Sequence, residues 1–309
     1  MPPSRMSAMT EVVGRFAPSP SGRMHLGNVF AALLAWLSVK SRDGTMVLRI
    51  EDLDPDRCRP EYVETLRDDL SWLGLTWDKE QTPQSLRSQA YEEAFEALRA
   101  RGLIYPCYCS RTELHAASAP HAADGRVIYA GTCRSLTPAQ RAEKTKAPAW
   151  RLMVPDQVWG VKDGLQGWYE ENLSKDCGDF IVRRADGVYA YQLAVVVDDA
   201  AGGVTEVVRG MDLLPSTPRQ LYLYDLLGLR PPEFFHVPLL LSPDGRRLSK
   251  RDRDLDLGVL RQQKKPEEIL GLLACWAGIL EKPEPASAQE LAKIFSWQAV
   301  RTEPVVVTR

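Results

Sequence analysis

Apolar positions along this chain switch repeatedly between strand-like runs and helical spacing. Val12 and Val13 form a short β-branched run that reads as a buried strand entering a turn at Gly14. Pro18, Pro20 and Gly22 then exclude regular structure. From Leu26 onward Val29, Phe30, Leu33, Leu34 and Leu37 recur at helical spacing, so the pattern predicts a helix whose first turn carries His25, Gly27 and Asn28. Residues 46–50 read as a buried strand, 60–73 as a helix, and 88–101 as a second helix stopped by Gly102. Residues 179–199 read as a hairpin through Ala185-Asp186-Gly187 leading to an apolar segment, 202–212 as another buried strand ending in polar groups, and 215–227 as a helix. His236 to Leu241 leads into a turn cluster and a basic loop, after which only two helix-like stretches, near 266–280 and 286–300, and a Val-rich tail remain. Such alternation predicts an α/β fold with a parallel sheet covered by helices, in which ligands lie beyond the carboxyl ends of the strands.

Three segments then carry chemistry. A helix start at His25 directs backbone N–H groups and partial positive charge outward, which suits a triphosphate, and Gly27 lets a ligand approach closely. Glu51 and Asp52 fall at the carboxyl end of the 46–50 strand. The loop after Gly245 contains Arg246, Arg247, Lys250, Arg251 and Arg253; a lysine delivered from such a loop could stabilise charge developing on a phosphorus centre under nucleophilic attack.

Composition narrows the class. The 309 residues are enough for two compact units, and a net charge of −2 argues against a globally basic nucleic-acid coat while leaving room for local phosphate contacts. The chain has no apolar run of membrane-spanning length and no signal-peptide core at its start, so a soluble cytoplasmic protein, a monomer, is expected. Six cysteines outside a secretory context read as metal chemistry more than as a disulfide framework. Cys107, Cys109 and Cys133 are spaced to give three thiolates to a tetrahedral structural zinc completed by a fourth ligand, and His115 and His121 lie in the intervening loop as imidazole candidates. Cys58, Cys177 and Cys275 are isolated and read as packing.

Taken together, Gly14-Arg-Phe-Ala-Pro-Ser-Pro-Ser-Gly-Arg-Met-His25-Leu-Gly-Asn28 and Arg247-Leu-Ser-Lys250-Arg251 resemble the two signatures of the class I aminoacyl-tRNA synthetases, in the glutamyl and glutaminyl branch. Leu248 stands where the family has methionine, an apolar exchange. Arg49-Ile-Glu51-Asp is similar to a further family segment, and the resemblance covers residues 12 to about 257. It implies a Rossmann-like catalytic domain in two halves, 11–105 and 179–257, an inserted zinc-containing subdomain at 106–178, and a short helical C-terminal region at 258–309 without an anticodon-binding domain.

The same resemblance implies the residue roles. Arg15, Phe16, Ala17, Pro18, Ser19, Glu51, Tyr191 and Arg209 would hold L-glutamate, with Glu51 at the amino group. His25, Gly27, Asn28 and Lys250 would hold ATP, with His25 and Lys250 acting in catalysis, and Mg2+ would accompany the triphosphate. Cys107, Cys109, Tyr129 and Cys133 would bind one zinc. Arginine suits a carboxylate through its planar fork, so Arg15 and Arg209 together would select glutamate over glutamine. Fewer than sixty residues follow Arg251, which is similar to a tRNA-modifying branch that activates glutamate without tRNA and attaches it to queuosine in the anticodon loop of tRNA(Asp). The alternatives are a truncated enzyme charging the 3′ end of tRNA(Glu), and a non-catalytic RNA-binding relative, which would be expected to lose the residues retained here at 25, 51, 209 and 250.

Overall fold

The computed structural model describes residues 11–110, 128–246, 248 and 256–307. Lys250 with its neighbours Arg247, Arg251 and Arg253, and His115 and His121, lie outside the described residues.

A parallel sheet carries the molecule. Strands β1 (Val13–Phe16), β2 (Thr45–Leu48) and β3 (Lys79–Glu80) pair in parallel in that order, with Gly14 opposite Met46 and Phe16 opposite Leu48. The first strand therefore continues through Gly14 to Phe16, and the turn begins at Ala17, three residues later than the apolar run suggests. Residues 104–107, 149–152, 158–163, 167–172 and 180–183 form β4 to β8, followed by β9 (Glu206–Gly210) and β10 (Glu233–Val237), a second parallel pair. Thr205 N donates to Val13 O at 2.9 Å and Val13 N to Thr205 Oγ1 at 2.9 Å, so β9 runs on from the free side of β1.

The helix Leu26–Lys40 begins where the spacing predicts. His25 is its N-cap: Nδ1 accepts the Gly27 N–H at 3.1 Å while Asn28 Oδ1 accepts the His25 N–H at 3.3 Å. All six predicted apolar positions are buried, and Ala35, Trp36, Ser38 and Val39 are buried as well, so the helix lies inside the protein rather than on a surface. It packs so closely on β1 that a Cβ at Gly14 would fall 2.4 Å from Val39 Cγ2. Trp36, Phe16, Leu48 and Val208 share this core with Leu270, Leu273 and Leu291 of the C-terminal helices Pro266–Ala277 and Ala288–Ile294. The last helix stops at Ile294, shorter than the spacing suggests, because Phe295 turns extended and a short 3-10 turn, Trp297–Ala299, follows. That turn stacks Trp297 on Phe235 with ring centroids 4.4 Å apart.

The Val-rich tail becomes β12 (Val305–Val306), which pairs in parallel with β11 (Leu240–Leu241) just before the basic loop. A second core surrounds Tyr91, Phe95, Leu152, Leu193 and Leu223. It joins the helices Ser88–Ala100, Tyr191–Ala201 and Thr217–Leu226 to the antiparallel sheet β4-β5-β8. The apolar segment after the 185–187 turn is thus a helix, with Tyr191 in its first turn. At the end of β4, Cys107 belongs with Tyr105, Tyr129 and Cys133 to a small third cluster. Among the described residues no helix is long and apolar enough to cross a membrane.

Candidate active site

Beyond the carboxyl ends of β1, β2 and β9 lies a cavity of about 470 Å³. Its walls include every described residue that the sequence marks for glutamate or ATP: Arg15 to Ser19, His25, Gly27, Asn28, Glu51, Tyr191 and Arg209. Strand register explains the gathering. Arg15 leaves β1, Glu51 follows β2 by three residues, and Arg209 is the fourth residue of β9, so parallel strands deliver all three to one edge.

One end of the cavity is built from buried charge. Arg49 is fully buried; its Nη1 donates to Asp199 Oδ1 at 2.5 Å and its Nη2 to Glu51 Oε1 at 3.0 Å. Arg15 Nε approaches the same Asp199 oxygen at 3.4 Å, and Arg15 Nη1 donates to Val208 O at 3.3 Å. Burial pushes the Glu51 carboxyl above its ordinary range, against the pull of Arg49 and Arg15. Burial acts on Asp199 in the same sense, but there Arg49 and Arg15 prevail and hold it below 3.8.

Arg209 differs from Arg49. It is buried, yet its partners are His236 Nε2 at 2.9 Å from Nε, Thr217 Oγ1 at 2.9 Å from Nη2 and the Tyr191 hydroxyl at 3.4 Å from Nη1. Among the described residues no carboxylate lies within ion-pairing distance of it. A buried cation needs an anion or strong acceptors, so this one presents positive charge to whatever enters the cavity.

At the other end stands the helix N-terminus. Because Nδ1 of His25 accepts the Gly27 N–H, the neutral ring carries its proton on Nε2, a donor suited to a phosphate oxygen. Gly27 has a second reason to lack a side chain: a Cβ there would lie 3.0 Å from His25 Cε1 and Nδ1. Described residues on either side of the basic loop are held in place. Leu248 lines the cavity and donates its N–H to Leu240 O at 3.1 Å; Asp256 bridges to His25, and Leu257 N donates to Met24 O at 3.0 Å. Arg23 reinforces the join, pairing with the buried Asp69 through Nε at 3.1 Å and Nη2 at 2.8 Å, while Arg261 reaches Asp69 from the segment after the loop at 2.6 Å.

The cysteine cluster is a separate site. The sulfurs of Cys107, Cys109 and Cys133 lie within 4.8 Å of one another, and the Tyr129 hydroxyl is 3.4 Å from Cys107 Sγ and 3.9 Å from Cys109 Sγ. Arg151 Nε donates to Cys107 Sγ at 3.2 Å and Tyr108 N to Cys133 Sγ at 3.4 Å, outer contacts of the kind that steady thiolates. Burial and the neighbouring cysteines push the Cys109 thiol up to about 12. Three clustered sulfurs fit three positions of a four-coordinate structural zinc, and the phenol oxygen of Tyr129 lies beside them as a less usual fourth donor. Cys58, Cys177 and Cys275 are not part of this cluster and form no disulfide among the described residues.

Sequence reasoning missed Asp199, His236, Thr217 and Asp69 as parts of the site. Asp199 falls at the end of an apolar segment with no helix reading, Thr217 within a segment that reads as ordinary helix, and Asp69 mid-helix as a solvent-facing acid would. His236, beside a strand-like apolar run, offered the one readable signal.

The sequence matches the family of class I tRNA synthetases for glutamate and glutamine (E and Q), catalytic domain, over residues 11–309. Among curated relatives, it is 47% identical over 306 residues to a glutamyl-Q tRNA(Asp) synthetase of Nitratidesulfovibrio vulgaris, covering 95% of this chain and 94% of that one. A glutamyl-Q tRNA(Asp) synthetase of Symbiobacterium thermophilum is also 47% identical, over 94% of each chain. In three dimensions the chain is similar to a glutamate tRNA ligase from Elizabethkingia meningosepticum, solved in complex with its amino acid, with a TM-score of 0.82 at 28% identity over 96% of this chain and 67% of that one.

Proposed function

The chain belongs to the class I tRNA synthetase family of the glutamate and glutamine branch, and from that premise we propose that it activates L-glutamate with ATP and transfers it to queuosine in tRNA(Asp). Activation needs no nucleophilic side chain, because a carboxylate oxygen of glutamate attacks the α-phosphorus of ATP and pyrophosphate leaves. The protein supplies position and electrostatic stabilisation. In the second step a nucleophilic group of the queuosine base takes the glutamyl group from the adenylate and AMP leaves. The first step requires no tRNA.

Arg209 carries the reading of substrate. A buried guanidinium whose three protein partners are an imidazole and two hydroxyls calls for a carboxylate from the ligand. Arg15, which shares Asp199 with Arg49 and donates to Val208 O next to Arg209, offers a second cation, and Glu51 an acceptor for the ammonium group. Glutamate has two carboxylates and one ammonium; glutamine lacks one of the carboxylates. Phe16, Ala17, Pro18 and Ser19 complete that wall. His25, Gly27 and Asn28 hold the phosphates of ATP at the helix start, and Lys250, whose loop is flanked by Leu248 and Asp256, steadies the phosphoryl transition state. Mg2+ neutralises the triphosphate. A structural zinc held by Cys107, Cys109, Cys133 and Tyr129 fixes the segment between the two catalytic halves, 11–105 and 179–257.

Pyrophosphate exchange into ATP, dependent on glutamate and measured without tRNA, tests the first step. Labelled glutamate should then pass to tRNA(Asp) that carries queuosine and remain after removal of the 3′ end. Label confined to the 3′ end of tRNA(Glu) would overturn the proposal.

A further inference from the structure

Arg209 and His236 face one another across the parallel pair β9–β10, where they are partners in register. Nε–H of Arg209 donates to His236 Nε2 at 2.9 Å, so that nitrogen carries no proton and the ring, if neutral, is protonated at Nδ1. Asp163, at the end of β6, accepts that proton's hydrogen bond: its Oδ2 is 2.5 Å from His236 Nδ1. Both side chains are completely buried. Burial, with Arg209 alongside, lowers the basicity of the imidazole, and Asp163 only partly opposes this.

The geometry of the arginine gives this chain of contacts a consequence. Nε–H and one N–H of Nη2 form the side fork of a guanidinium, and both are occupied, by His236 Nε2 and Thr217 Oγ1. The end fork, formed by Nη1 and Nη2, is left to face the cavity beside Tyr191. Resting on the glutamate reading above, we propose that Asp163 and His236 are a positioning pair for substrate recognition: Asp163 fixes the imidazole proton on Nδ1, and the acceptor at Nε2 aims Arg209 at a substrate carboxylate.

Asp163 can do this because its other oxygen is already committed. Oδ1 accepts the backbone N–H groups of Leu165 at 3.0 Å, Gln166 at 2.9 Å and His236 at 3.2 Å. In Asp163→Asn the amide oxygen must stay with those three donors, which turns the amide N–H groups toward His236 Nδ1. The imidazole would then have to accept at Nδ1 and carry its proton on Nε2, against the Nε–H of Arg209. The substitution is nearly isosteric, so the effect separates proton placement from packing.

The test compares Asp163→Asn, His236→Leu and His236→Gln with wild type by glutamate-dependent pyrophosphate exchange, and reads the imidazole proton by nitrogen-15 NMR of labelled histidine. In wild type the proton of His236 should be on Nδ1, moving to Nε2 in Asp163→Asn. The KM for glutamate should rise about ten- to a hundredfold in Asp163→Asn and His236→Leu, as expected for a lost hydrogen bond to a charged group. His236→Gln, which restores an acceptor oxygen, should recover part of the loss, and the KM for ATP should stay at wild-type value in all three. A proton on Nε2 in wild type, an unaltered glutamate KM in Asp163→Asn, or equal rises for glutamate and ATP would each overturn the inference. If Asp163→Asn fails to fold, the comparison of Leu with Gln at 236 decides: equal loss in both overturns the acceptor role. A wild-type protein that shows no glutamate-dependent exchange would instead defeat the proposed substrate, while the NMR still reads the proton.

Discussion

Asp199 Oδ1 lies 2.5 Å from Arg49 Nη1, with Arg49 wholly buried and Asp199 nearly so. The same oxygen is 3.4 Å from Arg15 Nε, so one carboxylate of the helix Tyr191–Ala201 neutralises an arginine from each of two parallel strand ends. This ties the helix Tyr191–Ala201 to the strands β1 and β2 through charge.

Removing that carboxylate should therefore destabilise the fold more than it alters any one binding contact. Asp199→Ala leaves two buried guanidinium groups with too little negative charge, and breaking such a pair costs about 3–5 kcal/mol. Urea unfolding monitored by tryptophan fluorescence would show a midpoint well below wild type; an unchanged midpoint would contradict the shared-charge account. The pH dependence has a defined sign. Because the folded protein holds Asp199 below its ordinary 3.8, the stabilisation is fully present above that value and is lost as pH falls from there through the lower folded value.

Gly27 should be equally sensitive to a single methyl group, though for a local reason. A Cβ would meet the His25 ring at 3.0 Å, displacing the side chain that caps the helix and presents Nε2. Gly27→Ala should raise the KM for ATP about tenfold or more while leaving that for glutamate near wild type, given that loss of a cap and of a phosphate donor each amount to about 1 kcal/mol or more. Equal effects on both substrates would show that the residue acts through general stability.

For the cysteine cluster the prediction concerns metal content. Purified protein should contain one zinc by mass spectrometry, and Cys107→Ser should lose it together with thermal stability. Tyr129→Phe removes one oxygen from the donor set and should weaken zinc retention against a chelator at least about tenfold, because loss of even a group that only supports a ligand costs about ten- to a hundredfold. Full retention in Tyr129→Phe would assign the fourth ligand elsewhere, with His115 and His121 the next to replace.

Residue spacing made much of this site legible. The periodic apolar residues after Leu26 fixed the helix start and so His25, Gly27 and Asn28, because a cap residue and a periodic face are local properties. Glu51 could be placed at a strand end for the same reason, whereas Arg15 and Arg209 were marked by the family resemblance, and Arg15 lies within β1 where the apolar run suggests a turn. What spacing could not reach were pairings set by tertiary register. His236 meets Arg209 only because β10 lies beside β9, and Asp163 meets His236 only because the β6–β7 hairpin folds against them. Likewise the tail residues Val305 and Val306 became a strand through β11, a partner more than sixty positions away. An extended tail reads as loop until its partner is known.

Lys250 offers the sharpest division between binding and chemistry. The described residues flanking its loop are fixed, Asp256 by its bridge to His25 at the helix start and Leu248 by its hydrogen bond to Leu240 of β11. A lysine acting there on developing charge should matter to the transition state more than to glutamate affinity. Lys250→Ala should slow pyrophosphate exchange about 10²–10³-fold, comparable to loss of one oxyanion-stabilising donor, while calorimetric binding of glutamate alone stays at wild-type strength. Exchange at wild-type rate would refute the catalytic role. A parallel loss of glutamate binding would place the lysine in the amino-acid pocket, where the arginines already supply the positive charge.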